Sequence, residues 1–213
     1  SGLKVCTQEN LPRDAQVDFV ISYMFRKLVK ADVIALARRG ALNFHAGPLP
    51  KFGGWAFYNI AILEQAKEYG CTCHYMDEGF DTGPLLKVNT FPIKPEEHTA
   101  ISLERAAQQE MVRLFIDFLD LAESGNDLPC TKQNPDEMRY LSKSEFMKLK
   151  EIPADADPET IDRHARAFWY PPYECAYVST SRGRAEVVPA IAKTEFSKIA
   201  HSNSLQDLID VAN

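Results

Sequence analysis

The stretch LNFHAGPLPKFGGWAFYNIAI (residues 42–62) joins the end of an apolar run to a loop rich in glycine and proline. Side chains alternate between the two faces of a strand, so Asn43 and His45 lie on one face of a strand that we predict over residues 41–45. The prolines that follow end this strand, because proline cannot donate to a β-ladder. Two polar side chains therefore meet a loop at a strand end, which is typical of a functional site.

The surrounding hydrophobic pattern predicts an α/β fold with an open, mostly parallel, Rossmann-like sheet flanked by helices. Residues 17–25 form a nearly continuous apolar run, which favours a strand buried on both faces. Residues 27–40 have helical spacing and end in two arginines and a glycine, as expected at a helix C-terminus. The remaining predicted elements are helices over residues 55–70 and 99–125 and strands over residues 71–77 and 84–93.

A change in composition after Gly125 divides the chain into two predicted domains. We assign residues 1–125 to the α/β domain and residues 126–213 to a small C-terminal α+β subdomain, because the second segment is rich in proline and short elements. Residues 175–190 predict a β-hairpin within this subdomain, and residues 196–213 predict a last short helix.

Composition excludes several classes of partner. The 213-residue chain has a net charge of -6, which disfavours nucleic acid as a partner because phosphate backbones attract basic surfaces. No apolar run approaches the length of a membrane span, and no signal peptide opens the sequence. We therefore expect no membrane contact and a cytoplasmic location.

The five cysteines include a CxC pair, Cys71 and Cys73, followed by His74. Such a fragment occurs in metal sites, but no second ligand pair follows at the spacing of a zinc site. We therefore favour reduced cysteines buried on one face of a strand, which suits the cytoplasm, and predict no metal site.

Three polar side chains converge if the sheet is parallel, because ligands bind outside the carboxyl ends of parallel strands. Asn43 and His45 end one strand, and Asp81 lies in the loop after residues 71–77. No nucleophile elbow, GxGxxG motif or P-loop accompanies them. The set suits direct acyl transfer to an amine, with Asn43 donating to the oxyanion, His45 polarising it or moving a proton, and Asp81 tuning His45 and accepting the amine proton. The alternative is structural, with turn capping and ordinary turn chemistry at these positions.

Two motifs, NFHAGPLPKFGG (residues 43–54) and HYMDEGFDTGPLL (residues 74–86), resemble the formyltransferases that use N10-formyltetrahydrofolate. The likeness extends over residues 20–121. It implies a formyltransferase fold, catalysis by Asn43, His45 and Asp81, and N10-formyltetrahydrofolate as the formyl donor. It also implies a folate pocket in which backbone groups do much of the binding. The residues of this pocket are Phe25, Arg26, Lys27, Leu28, Val29, Asp77, Glu78, Gly79 and Phe80.

Within this family, residues 161–178 (IDRHARAFWYPPYECAYV) look like the C-terminal segment of sugar-nucleotide N-formyltransferases. The resemblance implies a small-molecule acceptor, the amine of a nucleotide-linked amino-deoxysugar, and hence a role in polysaccharide biosynthesis. The residues expected to contact this substrate are Pro48, Lys51, Trp55, Trp169, Tyr170 and Tyr173. Packing of the aromatic turn onto the main core is an equal alternative, and Trp55 alternatively anchors the turn before its helix.

Three other functions stay open. A methionyl-tRNA formyltransferase carries a basic C-terminal β-barrel, whereas this chain is acidic. A glycinamide ribonucleotide formyltransferase has Ser-Leu-Leu-Pro after its histidine, where residues 46–50 are AGPLP. The third alternative is a catalytically decayed homologue that only binds a folate or a nucleotide.

The beginning of the chain departs from the family pattern. The family fold starts with two strand–helix units before the part that residues 3–25 resemble, so we expect either that roughly 40–70 residues are missing here or that the natural protein is short. An exposed sheet edge would then need cover from another chain. A homodimer agrees with the family's habit of pairing through the C-terminal region.

Overall fold

The computed structural model describes residues 4–192 except residues 6, 13, 15, 26 and 140. Within this part of the chain, four strands form one sheet and two further strands form a separate hairpin. The strands are β1 (Val17–Tyr23), β2 (Ala37–His45), β3 (Glu68–Tyr75), β4 (Leu85–Pro92), β5 (Ala176–Thr180) and β6 (Gly183–Val187). The helices are α1 (Ala31–Ile34), α2 (Phe57–Leu63), α3 (Ala100–Glu123), α4 (Lys143–Leu149) and α5 (Pro158–Ala167). The α/β class is confirmed, and the helix predicted within residues 196–213 lies outside the described residues.

The four-stranded sheet has the order β1-β2-β3-β4 and combines two kinds of pairing. Strands β1 and β2 are parallel, as the strand–helix–strand pattern predicts, and Ser22 pairs with Asn43. The β2–β3 and β3–β4 pairs are antiparallel. Antiparallel strands at one side of an otherwise parallel sheet are common in α/β folds. The predicted parallel arrangement therefore holds at the β1 side, and β3 and β4 extend the sheet by antiparallel pairing.

Strand β1 is the edge of the described sheet, and its apolar side chains are not buried on both faces as we predicted. Ile21 and Tyr23 are 39% and 38% exposed, whereas Ser22 is buried. Phe19 packs edge to face on Phe118 of α3, with ring centroids 5.1 Å apart. The prediction of a doubly buried strand was wrong because, among the described residues, only β2 pairs with β1.

Two predicted helices ended too late, because glycines that we interpreted as helix C-caps lie inside strands. Helix α1 covers only Ala31–Ile34, and Gly40 belongs to β2. Helix α2 ends at Leu63, and Gly70 belongs to β3. A Cβ atom at Gly70 would come within 2.1 Å of the Asn89 carbonyl oxygen. This glycine therefore permits a close approach of two strands.

Helix α3 confirms the predicted amphipathic helix, and its apolar stripe covers one face of the sheet. The fully buried members of the stripe are Leu103, Ala107, Met111, Leu114 and Phe118. Phe44 of β2 packs on this face, with its ring centroid 5.9 Å from that of Phe118 and 5.2 Å from that of Phe115. Because side chains alternate along β2, Asn43 and His45 point to the opposite face.

The chain divides into two compact units that are not contiguous in sequence. The first unit comprises residues 1–57, 66–94 and 103–141, and the second comprises residues 58–65, 95–102 and 142–213. The predicted domain boundary at residue 125 stays a prediction. No described helix combines the length and the apolar character needed to cross a membrane.

The second unit contains α4, α5 and the predicted β5–β6 hairpin, which is confirmed by the pairing of Thr180 with Gly183. Both helices begin at side-chain caps. Ser142 and Glu145 form a capping box at α4, and the Asp157 side chain accepts from the backbone N–H of Thr160 at α5. Capping side chains satisfy backbone donors that a helix leaves unpaired, and they fix where each helix starts.

Candidate active site

Strand β2 places two of the predicted catalytic side chains, and strand β3 adds a third polar group that we had not assigned to the site. Asn43 pairs with His74 across the antiparallel β2–β3 ladder. Its Nδ2 atom lies 3.1 Å from Nε2 of His74. The sequence pattern indicates His74 as part of a metal fragment and as the first residue of the second family motif, and neither assigns it a role in this site. Antiparallel pairing of β2 with β3 was the missing signal, because it places His74 beside Asn43 on the same face.

Asp81 reaches this face by a route that differs from the one we predicted. The carboxyl ends of β2 and β3 do not meet, since the two strands are antiparallel. Instead, the loop after β3 brings the Asp81 carboxylate to Asn43, whose Nδ2 lies 3.3 Å from Oδ1. Asp81 has a φ of 57°, in the left-handed region that residues other than glycine rarely adopt. The three predicted catalytic side chains thus come together, although the sequence argument for their convergence was wrong.

The Asp81 carboxylate makes contacts on both of its oxygens. Oδ2 accepts the backbone N–H of Gly54 at 2.8 Å and lies 3.5 Å from Nδ1 of His45. Oδ1 lies 3.4 Å from Nε2 of His74, in addition to its contact with Asn43. The carboxylate is therefore surrounded by donors and by two imidazole rings.

The loop after β2 is fixed by side chains of the strand beside it. Thr72 Oγ1 donates to the Gly47 carbonyl oxygen at 2.8 Å and accepts the Leu49 backbone N–H at 3.0 Å. Nε2 of His45 lies 2.6 Å from the Phe52 carbonyl oxygen, which only accepts, so this nitrogen carries the hydrogen. His45 is 6% exposed and therefore has little freedom to turn.

The loop that carries Asp81 is ordered by its own residues. Asp77 Oδ1 accepts from the backbone N–H of Gly79 at 3.0 Å and from Thr82 Oγ1 at 2.6 Å. A Cβ atom at Gly83 would lie 1.8 Å from the Tyr75 carbonyl oxygen, so the chain passes too close to β3 for any side chain there. These contacts give the loop a defined path from β3 to Asp81.

Electrostatics in the site favour an ionised Asp81 and a neutral His45. Burial raises the pKa of the Asp81 carboxyl, but His74, His45 and the Gly54 N–H outweigh it, so the pKa lies below its ordinary value. Burial lowers the pKa of His45, and the opposing effects of Asp81 and the Phe52 carbonyl do not reverse this shift. At neutral pH the site therefore holds a carboxylate able to accept a proton.

The hydrogen bonds also define the orientation of the Asn43 amide. Nδ1 of His74 lies 2.8 Å from the Tyr75 carbonyl oxygen, so it carries the hydrogen, and in this tautomer Nε2 is the acceptor of the ring. Nδ2 of Asn43 faces this nitrogen and the Asp81 carboxylate, both of which accept. The amide nitrogen of Asn43 is thus directed into the site by two acceptors.

The predicted folate residues lie on two segments. The first follows β1, which ends beside β2 because Tyr23 pairs with Phe44. In this segment Phe25, Lys27 and Leu28 are exposed and Val29 is partly buried, and Arg26 lies outside the described residues. The second segment is the Asp81 loop. There Glu78, Gly79 and Phe80 are exposed, and Phe80 is 64% accessible.

The predicted acceptor residues divide between the two units. In the first unit, Pro48, Lys51 and Trp55 lie on the loop after β2, and Lys51 and Trp55 are exposed. In the second unit, Tyr170 and Tyr173 pack together with ring centroids 5.8 Å apart, and Tyr173 is exposed.

Trp169 requires a correction. It is 6% exposed and belongs to a core cluster of the second unit with Cys175 and Ala192, against which Ile101 packs. The structure therefore gives this side chain a packing role, and it leaves our set of substrate-contacting residues.

The cysteines of the CxC pair are free and buried in β3. Burial raises the pKa of Cys71 and of Cys73 to about 12, so both remain protonated thiols at neutral pH. Across the described ranges, no group of three or more His, Cys, Asp or Glu side chains is placed to hold a metal ion.

Comparison with known proteins places this site in a family. The sequence profile of the formyl transferase family matches residues 7–119, which is more than half of the chain. The chain belongs to the formyl transferase family. It is 33% identical over 153 residues to the methionyl-tRNA formyltransferase of Nitrosospira multiformis, a match that covers 72% of this chain and 48% of that protein.

Solved structures of two formyltransferases share the fold. A 4-N formyltransferase from Francisella tularensis is 22% identical with a TM-score of 0.69, covering 81% of this chain and 71% of that one. The N-formyltransferase from Helicobacter canadensis, in complex with folinic acid and dTDP-3-aminofucose, is 24% identical with a TM-score of 0.67, covering 84% and 63%. The chain spans about half the length of the curated relatives that it matches.

Proposed function

We propose that this chain transfers a formyl group from N10-formyltetrahydrofolate to an amine. The single observation that carries this proposal is the convergence of Asn43, His45 and Asp81 in the first unit, with the carboxylate of Asp81 between two imidazole rings. The sequence has no nucleophile-elbow motif, which suits direct transfer between two bound substrates. Membership of the formyl transferase family supports the same chemistry.

The exposed side chains beside the site suit a folate. Phe25, Leu28 and Phe80 offer apolar surface to a flat ring, and the backbone of their loops offers donors and acceptors to its edge. When bound, N10-formyltetrahydrofolate supplies the formyl carbonyl that the amine attacks. The residues present therefore fit this donor.

Asn43 and His45 would stabilise the negative charge that develops on the formyl oxygen. One hydrogen of the Asn43 amide makes only a long contact of 3.3 Å to Asp81, so this hydrogen is the one that a developing oxyanion would take over. The hydrogen on Nε2 of His45 is held by the Phe52 carbonyl at 2.6 Å. His45 would therefore act on the oxyanion only after this loop carbonyl shifts.

Asp81 would accept the proton that the amine loses on acylation. Its pKa is lowered, so the carboxylate is present at neutral pH, and the Gly54 N–H and the Asn43 amide hold it in one orientation. Asp81 would take this proton through a water molecule and pass it to the folate nitrogen whose bond to the formyl carbon breaks, so that tetrahydrofolate leaves and the carboxylate is ionised again.

We propose a nucleotide-linked amino-deoxysugar as the acceptor. The similarity of residues 161–178 to sugar-nucleotide N-formyltransferases supports this choice, as does the net charge of -6. The Helicobacter canadensis structure of the same fold contains a sugar nucleotide. Lys51 on the exposed loop after His45 offers a cation to a diphosphate.

Methionyl-tRNA is the second candidate acceptor. It is favoured by the curated relatives, several of which are methionyl-tRNA formyltransferases at 32–34% identity. The acidic net charge opposes it, because tRNA binding depends on phosphate contacts with basic side chains.

An acceptor panel tests the proposal. The protein is incubated with N10-formyltetrahydrofolate and either nucleoside-diphosphate amino sugars, methionyl-tRNA or glycinamide ribonucleotide, and the formation of tetrahydrofolate is followed by absorbance. Turnover only with an amino sugar supports the first acceptor, and turnover only with tRNA supports the second. Calorimetry with 5-formyltetrahydrofolate, an unreactive analogue of the donor, is run in parallel. If 5-formyltetrahydrofolate binds but no acceptor supports turnover, the proposed acceptors are contradicted. If 5-formyltetrahydrofolate does not bind, the whole proposal is contradicted.

A further inference from the structure

We infer that Gln133, which lies outside both sequence motifs, is a positioning residue that holds the backbone of the Asp81 loop in its active geometry. The inference rests on the function proposed above and deepens it. It assigns a role to the segment between α3 and α4, which the family motifs do not include.

The contacts of the Gln133 amide carry the inference. Nε2 donates to the carbonyl oxygen of Asp81 at 2.8 Å and to that of Gly83 at 2.7 Å. Both partners can only accept, so the nitrogen and not the oxygen of the amide must face them. The two hydrogens of one side chain thus hold two carbonyls of the same loop, on either side of Thr82.

Gln133 is itself anchored to the sheet. Two residues earlier, Thr131 exchanges backbone hydrogen bonds with Leu85 at the start of β4, at 2.7 Å and 2.9 Å. Immediately after it, the Asn134 side chain accepts from the backbone N–H of Asp136 and begins a short 3-10 turn. The backbone is therefore held on both sides of Gln133. The Gln133 side chain, in turn, holds the Asp81 loop through its two hydrogen bonds.

Two energetically unfavourable features remain at this contact. Asp81 adopts a φ of 57°, which is costly for a residue with a side chain. The Oε1 atom of Gln133 is buried, and none of the described residues donates a hydrogen bond to it. The folded protein therefore keeps Asp81 in an unfavourable backbone conformation and leaves Oε1 of Gln133 without a hydrogen-bond donor among the described residues. Such unfavourable features are expected where the position of one side chain matters for function.

The position that matters is that of the Asp81 carboxylate. Its oxygens contact the Gly54 N–H, Asn43, His45 and His74 at distances from 2.8 Å to 3.5 Å. Movement of the Asp81 backbone would change these four contacts together, because all of them are made by one carboxylate. Gln133 therefore holds the backbone carbonyl of Asp81, and these four groups contact the carboxylate of the same residue.

The test compares Gln133→Leu with Gln109→Leu, a control at an exposed glutamine of α3. We expect Gln133→Leu to lower kcat of formyl transfer by about tenfold to a hundredfold, with little change in the KM for N10-formyltetrahydrofolate, because displaced catalytic groups cost rate more than binding. The acidic limb of the pH profile should move to higher pH, since a displaced Asp81 loses the donors that stabilise its charge. The backbone amide of Gly54 should exchange with solvent faster by NMR, since its acceptor is Asp81.

Unchanged kcat, acidic limb and Gly54 exchange in Gln133→Leu would overturn the inference. If this variant does not fold, Gln133→Glu replaces it, because a carboxylate keeps the size of the side chain but cannot donate to either carbonyl. The amide exchange needs no turnover, so it decides the role of Gln133 even if the protein transfers no formyl group. Absence of turnover in the unaltered protein counts against the proposed function and leaves the exchange test valid.

Discussion

Nδ2 of Asn43 lies 3.3 Å from Oδ1 of Asp81, although the two residues are 38 positions apart in the sequence. Asn43 belongs to strand β2, which packs on α3 through its other face. Asp81 belongs to a loop and has a left-handed backbone conformation. The geometry of the proposed catalytic site therefore depends on how a loop is held against a strand. His74, Gly83 and Gln133 all act at this junction, and the first two provide direct tests.

His74 orients Asn43 by accepting a hydrogen bond, and substitutions at His74 separate this role from simple packing. We expect His74→Leu to lower kcat by about tenfold to a hundredfold, because the Asn43 amide loses the acceptor at 3.1 Å that directs it. His74→Gln should retain much of the activity, since its side-chain oxygen reaches the position of Nε2. Steady-state kinetics of both variants provide the measurement. An equal loss of kcat in the two variants would show that His74 does not contribute by accepting a hydrogen bond from Asn43.

Gly83 tests how closely the Asp81 loop passes β3. A methyl group at Gly83 would lie 1.8 Å from the Tyr75 carbonyl oxygen, so Gly83→Ala must displace the backbone and should reduce the free energy of unfolding by about 1–3 kcal/mol. Gly53→Ala is the matched control. Its methyl group would meet Leu49 at 3.4 Å and Asp81 at 3.8 Å, which are ordinary contacts, so we expect a change within about 0.5 kcal/mol. Urea unfolding of both variants provides the measurement, and similar values for the two would count against the close approach.

Burial of His45 makes stability depend on pH. Its folded pKa lies below the ordinary value of 6.5, so between these two values the unfolded state binds more protons. The free energy of unfolding should therefore be greatest above about pH 6.5 and fall on acidification. His98 has a pKa lowered by burial as well and contributes with the same sign.

The variant His45→Gln isolates the contribution of His45. Urea unfolding at about pH 7.5 and about pH 5.5 should give a smaller difference for His45→Gln than for the unaltered protein, with the His98 contribution remaining in both. The same difference in the two proteins would mean that His45 titrates normally in the folded state.

The cysteines should differ sharply in reactivity. Cys130 is exposed, whereas Cys71, Cys73 and Cys175 are buried, and burial raises the pKa of all three buried thiols. In a protein carrying Cys6→Ser, we expect one thiol to react rapidly with Ellman's reagent, and none after a further Cys130→Ser substitution. Rapid reaction of two or more thiols in the native protein would contradict the buried position of the CxC pair.

Much of the fold can be predicted from the spacing of hydrophobic residues alone. The stripe of α3 and the β5–β6 hairpin have strong and regular patterns, and both are found where the sequence predicts them. The strand that ends in Asn43 and His45 is also predicted, because alternation and the following prolines define its face and its end.

Other features depend on contacts that no local pattern contains. The glycines at positions 40 and 70 read as helix ends but serve strand packing, which depends on the neighbouring strand. His74 joins the site only because β3 is antiparallel to β2. Gln133 lies more than 45 residues from the carbonyls that it holds and belongs to no recognisable pattern. The direction of strand pairing and long-range hydrogen bonds therefore account for the features that could not be predicted from the sequence.

The most direct test of the account is formyl transfer by the unaltered protein and by Asp81→Asn, with Asp127→Asn as a control at an exposed site. Conversion of N10-formyltetrahydrofolate to tetrahydrofolate is measured with the acceptor that the panel identifies, and binding of 5-formyltetrahydrofolate is measured by calorimetry. The account predicts amine-dependent turnover that Asp81→Asn reduces by about 10²–10⁴-fold, because the proton acceptor is lost, while the analogue still binds. Equal turnover by Asp81→Asn and the unaltered protein, or no turnover by an unaltered protein that binds the analogue, would contradict it.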